Sequence, residues 1–490
     1  MADGIFNLSD SEAEISRLGR SAERRAWTTP DGTIFDLTIP ATVYPPREDT
    51  DLLCRALRTI GPGKGKRLLE IGCGSGAVSL YAASLGYKVR ACDINPFAVA
   101  ATRNNAKQWH FDVQVHEGGP GPLIDGNHTQ WAGDTAHDVV VWNLPYITPE
   151  SEMEHVLGPL EEAALLDTDQ IGLIPRLMRH VRENQLIAKN GLILVLVSGN
   201  ERGLGAEKSA HSFGFAARCV ATHAFADGEQ LRVIAIWNPF ANASTHKFES
   251  IPSTNQSALQ NASIEGDFFL AKHQTAGRGR RGRAWSSEAE CFAGSWLIQN
   301  GTSELAPGLM QILGGYAILR TNQAFGVPRE VMALKWPNDI FLHQEGKLGK
   351  VAGVLIEGTS KGKIGKVVMG IGINFQLAKQ TEPPYPIADL SRWWSTKKAT
   401  EYRKILHAII ASFFEKRDDI KSTNYLALIP SLEQEIIEAV EHLGEPIYRN
   451  LTWSIDGLTE AGNLRLINEQ NQTAIIEDGE DLEWSNLRRI

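Results

Sequence analysis

Arg278, Arg280, Arg281 and Arg283 alternate with Gly277, Gly279 and Gly282 in the stretch QTAGRGRRGRAW, Gln274 to Trp285. Guanidinium groups present forked donors to phosphate and carboxylate oxygens, and the interleaved glycines leave the backbone free to wrap an anion. Such a loop is expected to be disordered when empty and to fold over its ligand. Alone, the stretch fits an RGG-like nucleic-acid segment equally well. It is followed by Trp285, a flat face for a purine, and then by Lys335-Trp336-Pro337-Asn338-Asp339 and by Lys350 directly before Val351-Ala352-Gly353. MGIGINF, Met369 to Phe375, adds Gly370, Gly372 and Asn374, and Ser253-Thr254-Asn255-Gln256 with Gln274 supplies hydroxyl and amide partners for a small polar ring. The set suits the holding of an adenylate.

A second constellation lies upstream. Glu70-Ile71-Gly72-Cys73-Gly74-Ser75-Gly76 closes an apolar run, and Asp93 ends the next run. Glycines there permit a tight turn and close approach of a ligand, and an acidic residue one strand later suits a ribose. A glycine-rich turn is common to nicotinamide and flavin proteins, but ExGxGxG favours S-adenosylmethionine over a dinucleotide. Asn143-Leu144-Pro145-Tyr146 follows the run HDVVVW. An asparagine there can accept from an NH2 group and orient its nitrogen toward a methyl donor, while Tyr146 can stack on a planar amide or base. The alternative is an ordinary strand-to-loop turn in an inactive domain.

The elements that must position these residues differ between the halves. RLLEIGC, YKVRACD, HDVVVWN, GLILVLVS and LRVIAIW are short aliphatic strands separated by helical stretches such as PFAVAATRNNAKQW, the alternation of a doubly wound, mostly parallel sheet. NPFANASTHKFESIP, Asn238 to Pro252, has the composition of a connector. Beyond it, Glu401 to Arg417 repeats apolar residues at helical spacing. After about residue 440 come short strands with turn residues, the pattern of a small five-strand barrel. The expected domains are 1–240, a linker 241–252, 253–436 and 437–490.

The 490 residues exceed one ordinary core, and 42% hydrophobic with 22% charged residues is a globular composition. A net charge of −9 argues against a general nucleic-acid binder. Five cysteines without a CxxC pair suggest neither a disulfide framework nor zinc, and no metal ligands are assigned. The N-terminus lacks an apolar signal core, and no run reaches membrane-spanning length, so a cytosolic (cytoplasmic) protein is expected.

The first half resembles class I methyltransferases that modify nitrogen. ATVYPPREDTDLL, Ala41 to Leu53, is similar to the entry segment of the release-factor glutamine methyltransferases. The resemblance implies a Rossmann-like α/β domain. Glu70, Gly72, Gly74 and Asp93 would hold S-adenosylmethionine, with Thr50 closing over it and Asn143, Pro145 and Tyr146 at the acceptor. That family usually shows NPPY; Leu144 makes the motif similar also to that of ribosomal-RNA adenine dimethyltransferases. A third acceptor, an acyl carrier in biotin synthesis, fits Asn-x-Pro-Tyr less well.

From Ser253 onward the chain closely resembles biotin protein ligases. That resemblance implies an α+β, class II synthetase-like core followed by a small SH3-like β-barrel. It implies ATP-dependent biotinylation of a lysine on a biotin carboxyl carrier domain, through biotinoyl-AMP. Ser253, Thr254, Asn255 and Gln274, with the Gly277 and Arg278 backbone, would hold biotin. Arg280, Arg281 and Arg283 would fold over the phosphates, and Trp285 and Asn374 would bracket adenine. Lys350 would contact the biotin carboxylate and the α-phosphate, and Asn338 and Asp339 lie near the reacting centre. Asp339 is the candidate base, and Lys347, three residues from Lys350, is its competitor for the lysine role. A methyltransferase stands where many bacterial ligases carry a DNA-binding domain, so no operator binding is expected. The other class of reading is a non-catalytic biotin sensor.

Overall fold

The computed structural model describes residues 21–120, 128–145, 172–226, 228–283, 285, 290–302, 305–344, 346–361, 364–377, 386–395 and 398–487. Two compact units divide the chain. One is Met1–Asn238 with Arg417–Lys421, and the other is Pro239–Lys416 with Ser422–Ile490.

In the first unit a hairpin, β1 (Glu23–Thr28) and β2 (Ile34–Ile39), precedes a seven-stranded sheet. Its strands are β3 (Arg67–Ile71), β4 (Lys88–Asp93), β5 (Val113–Glu117), β6 (His137–Asn143), β7 (Ile187–Ser198), β8 (Ala216–Ala224) and β9 (Gln230–Trp237), in the order β5-β4-β3-β6-β7-β9-β8. β5 to β7 run parallel across that order, and β9 and β8 add antiparallel strands. The central strands are buried aliphatic runs, as helices on both faces require. The chain steps outward from β3 through β4 to β5, then returns to place β6 on the other side of β3. The crevice at the carboxyl ends of β3 and β6 is therefore the topological switch point, where such sheets bind ligands.

The second unit holds another seven-stranded sheet. Its strands are β10 (Thr245–Ile251), β11 (Phe268–Gln274), β12 (Glu290–Gly301), β13 (Met332–Lys335), β14 (Asp339–Gln344), β15 (Lys347–Lys361) and β16 (Ile364–Gln376). Their order is β10-β11-β12-β16-β15-β14-β13, antiparallel except for β10 with β11. The stretch expected to be a linker is thus largely a strand. β10 is an edge strand with almost no buried residue, so its polar composition mimics a connector. Ala399–Phe414 forms the expected amphipathic helix. The C-terminal segment forms two three-stranded sheets rather than one five-strand array. They are β17 (Pro446–Tyr448) with β18 (Leu451–Thr452) and β22 (Glu483–Trp484), and β19 (Ser454–Leu458) with β20 (Leu464–Ile467) and β21 (Thr473–Ile476).

Candidate functional site

In the second unit a cavity of about 260 Å3 gathers residues from six separate stretches of chain. Ser253 is extended and its hydroxyl accepts from the Gln256 N–H, which starts the helix Thr254–Asn261. The first turn of that helix carries the buried Thr254 and Asn255 to one end of the cavity. Gln274, the last residue of β11, accepts there from the Thr254 N–H (2.8 Å) and hydroxyl (3.0 Å). Gly370 and Gly372 on β16 make this packing possible. A Cβ at 370 would lie 2.1 Å from Asn255 Oδ1, and one at 372 would lie 2.5 Å from the Trp285 ring.

At the other end β14 and β15 pair Asp339 with Gly353, and the Lys350 ammonium forms an ion pair with the Asp339 carboxylate at 2.7 Å. Both charges sit over bare Gly353, and Lys350 Nζ is 5.8 Å from the Trp285 ring centroid. The Trp285 indole N–H is buried without a partner among the described residues. Asn338 donates to the Val354 carbonyl (2.9 Å) and accepts from Arg280 (3.4 Å). Lys347 is exposed at the start of β15, whereas Lys350 lines the cavity.

The arginine loop is held by contacts within the second unit. Arg280–Gly282 forms a 3-10 turn held by carboxylates of the C-terminal segment: Arg280 to Asp478 at 2.7 Å, Arg281 also to Asp478, and Arg283 to Glu480. Anions supplied by the chain itself satisfy the guanidinium groups. Arg278, Arg280, Arg283 and Trp285 line the cavity together with Ser253, Thr254, Asn255, Gln274, Asn338, Asp339 and Lys350. Gly277, Arg281 and Asn374 are not among the lining residues. The Asn374 carboxamide is directed elsewhere, donating to the Ala388 carbonyl (3.2 Å) and, more weakly, to that of Lys350 (3.5 Å).

Two charged cavity residues received no role from the sequence. Lys335 ends β13, and burial draws its ammonium below the usual lysine range. Asp339 opposes that shift and the Lys350 charge adds to it. Glu480 comes from the turn that holds the arginines; it lies 197 residues from Arg283, so no local signal announced it. Among the described residues no group of three or more His, Cys, Asp and Glu is placed to hold a metal.

In the first unit, Gly72, Gly74 and Gly76 all adopt positive φ (69°, 53° and 85°), which glycine alone accepts freely. Asp93 holds this loop, accepting from the Gly74 N–H and the Asn95 N–H, both at 2.9 Å. Burial raises the Asp93 carboxyl, and the Asn95 and Gly74 N–H bonds oppose it. Glu70 is buried on β3, its carboxyl bonded to the Ser79 hydroxyl. Burial pushes it up to about 8, and the Ser79 bonds oppose that rise. Thr50 lies in the first turn of the helix Glu48–Ile60, its N–H donating to Asp49 Oδ1 (2.6 Å).

Asn143 ends β6 beside the glycine loop at the switch point, and its Nδ2 donates to Asp49 Oδ2 at 2.9 Å. A carboxylate can only accept, so this contact fixes which way the carboxamide faces. Its Oδ1 is left buried with no partner among the described residues. Pro145 follows; Tyr146 lies outside the described residues.

Residues 247–374 match the model of the biotin/lipoate A/B protein ligase family, and residues 48–145 match that of ribosomal protein L11 methyltransferase (PrmA). A biotin–[acetyl-CoA-carboxylase] ligase of Paracoccus denitrificans is 38% identical over 125 residues, 25% of this chain and 50% of that protein. A Methanocaldococcus jannaschii protein, provisionally named a protein N5-glutamine methyltransferase, is 34% identical over 121 residues, 24% of this chain and 55% of its own length. Among solved structures, the biotin protein ligase from Aquifex aeolicus in complex with biotin and ATP has 24% identity and a TM-score of 0.37. That match covers 49% of this chain and 98% of the other. The chain spans about half the length of these curated relatives. One polypeptide thus joins a segment that matches a methyltransferase family model in its first half to one that matches the biotin/lipoate A/B protein ligase family model in its second.

Proposed function

We propose that the second unit condenses biotin with ATP to biotinoyl-AMP and transfers the acyl group to a lysine of a biotin carboxyl carrier domain. The observation that carries this reading is the polarity of the cavity. One end is neutral and hydrogen-bonding, formed by Thr254, Asn255 and Gln274; the other carries an excess of cations, Arg280, Arg283, Lys335 and Lys350 against Asp339 and Glu480. A neutral polar ring fits the first end. The second stabilises a carboxylate approaching an α-phosphate, where fixed positive charge counts most. Lys350 exchanges Asp339 for the biotin carboxylate. The freed Asp339 carboxylate then accepts a proton from the incoming amine in the transfer step. The arginines exchange Asp478 and Glu480 for phosphate oxygens, and the loop then shields the mixed anhydride from water. Mg2+ enters with the nucleotide. Biotin-dependent exchange of pyrophosphate into ATP tests the first step. Its absence in folded protein that binds biotin would leave a sensor.

The first unit fits S-adenosylmethionine at Gly72, Gly74, Thr50 and Asp93, where it would supply an electrophilic methyl group. The unpartnered Asn143 Oδ1 needs a donor, which an acceptor NH2 provides. Bonding to Oδ1 turns the nitrogen lone pair toward the donor, and positioning supplies the catalysis. A protein glutamine is the acceptor favoured by the relative's name. Labelled methyl transfer to release factor, compared with ribosomal RNA and acyl carrier protein, tests it. Label in either of the last two alone would overturn the glutamine assignment.

A further inference from the structure

Behind the neutral end of the ligase cavity, oxygen atoms from two strands and a helix form a chain. Gln274 Oε1 is 3.0 Å from Thr254 Oγ1, which is 2.7 Å from Ser295 Oγ, which is 2.6 Å from Asn255 Oδ1. The other side of the Asn255 carboxamide meets Glu357 on β15, with Nδ2 at 2.7 Å from Oε2 and 3.4 Å from the Leu355 carbonyl. Thr254, Asn255 and Ser295 are all buried.

A count of hydrogens shows what Glu357 does. Both oxygens facing Asn255 Nδ2 are pure acceptors, so the carboxamide cannot turn over, and Oδ1 must face Ser295. Gln274 is fixed as well, because its Oε1 accepts the Thr254 N–H. The chain therefore has acceptors at both ends and two hydroxyls between, leaving three oxygen–oxygen links and only two hydrogens to fill them. One link is always short of a donor. Were Asn255 reversed, its NH2 would fill the Ser295 link, both hydroxyls would point toward Gln274, and the shortage would vanish.

We infer that Glu357, a residue outside the cavity lining, is a positioning residue that holds the pocket floor one hydrogen short. The floor then demands an N–H donor from the ligand. The inference rests on the biotin reading of this cavity, since the ureido ring of biotin carries such donors. Gly370 belongs to the same device, because a methyl group there would displace the Asn255 carboxamide.

The test is calorimetric binding of biotin, with pyrophosphate exchange measured alongside on the full chain. Glu357→Gln keeps the volume but can present an NH2, allowing Asn255 to reverse. Biotin affinity and the KM for biotin should weaken about tenfold, the worth of one satisfied hydrogen bond, with the KM for ATP unchanged within twofold. In a Ser295→Ala background the chain is already broken, so Glu357→Gln should then cost less than twofold, although Glu357 and Ser295 share no hydrogen bond. Unchanged biotin affinity in Glu357→Gln, or the same tenfold loss on top of Ser295→Ala, would overturn the inference. Wild-type protein that binds biotin but exchanges no pyrophosphate would sink the ligase reading and leave the binding test intact. Wild-type protein that does not bind biotin would sink both.

Discussion

Asp49 and Asn143 are 94 residues apart in sequence and 2.9 Å apart in the fold. Asp49→Asn removes the charge that sets the carboxamide, which can then present either face to the acceptor. Methyl transfer should fall about ten- to a hundredfold, the range for a lost positioning contact. S-adenosylmethionine affinity, measured by calorimetry, should stay within twofold, and equal losses in both would show that Asp49 builds the donor site instead. Glu70 leads to a stability prediction. The folded chain keeps its proton up to about pH 8, whereas an unfolded glutamate releases it near 4.5. Between those values the unfolded state binds fewer protons, so first-unit stability should fall as pH rises from about 5 to 8. Glu70→Gln, which can still accept from Ser79, should flatten that slope in thermal melts; an unaltered slope would mean another group titrates. In the second unit, Asp339→Asn should slow transfer to the carrier lysine more than adenylate formation, read by single-turnover assays of each step. The motif residues were legible because glycine, arginine and lysine mark their chemistry at fixed local spacing. Asp49, Glu357 and Glu480 were not, because each acts only through a partner far along the chain.

The arginine loop and the turn Gly479–Asp481 define one another at the scale of elements. Asp478 accepts from the Glu480 N–H at 3.1 Å and caps that turn. Gly479 packs so tightly on Pro337 that a Cβ would lie 2.6 Å from the proline ring. Trp336 donates to the Gly462 carbonyl at 2.9 Å, a second tie from the C-terminal segment to the Lys335–Asp339 motif. The loop therefore does not face water alone. Exposed ion pairs contribute little singly, but here three guanidinium groups share two adjacent carboxylates. Without ligands, the double variant Asp478→Asn, Glu480→Gln should be cut by trypsin within Arg278–Arg283 about tenfold faster, because local opening governs cleavage. Biotin with ATP should restore protection. Equal rates with and without the substitutions would mean that other contacts hold the loop. In the sequence a run of arginines shows its need for anions but not where the chain supplies them. β10 was misjudged for a related reason: an edge strand with polar faces carries no alternation to separate it from a connector.

At the whole-molecule scale the division into two units is discontinuous in the chain, which a single boundary near residue 240 does not express. Arg417–Lys421 belongs to the first unit, although about 180 residues of second-unit chain precede it. Within that unit the Arg417 guanidinium lies 5.8 Å from the Trp237 ring centroid and donates to the Asn190 carbonyl at 3.0 Å, and Arg218 donates to the Lys421 carbonyl at 2.9 Å. Ile420 is buried and lines a cavity with Leu52, Leu194 and Val220. The parallel strands could be read from aliphatic runs, because a sheet covered on both faces must be apolar throughout. A five-residue segment has no such period, and only packing assigns it. The consequence can be measured in the full chain. Truncating a buried isoleucine costs about 2–5 kcal/mol, and each kcal/mol moves the transition of a domain this size by about 2–4 °C. Ile420→Ala should therefore lower the first-unit melting transition, identified by its shift with S-adenosylmethionine, by roughly 5 °C or more. The second-unit transition, identified by its shift with biotin and ATP, should move far less. The reverse pattern would return Arg417–Lys421 to the ligase side, and with it the simple two-piece division that composition suggests.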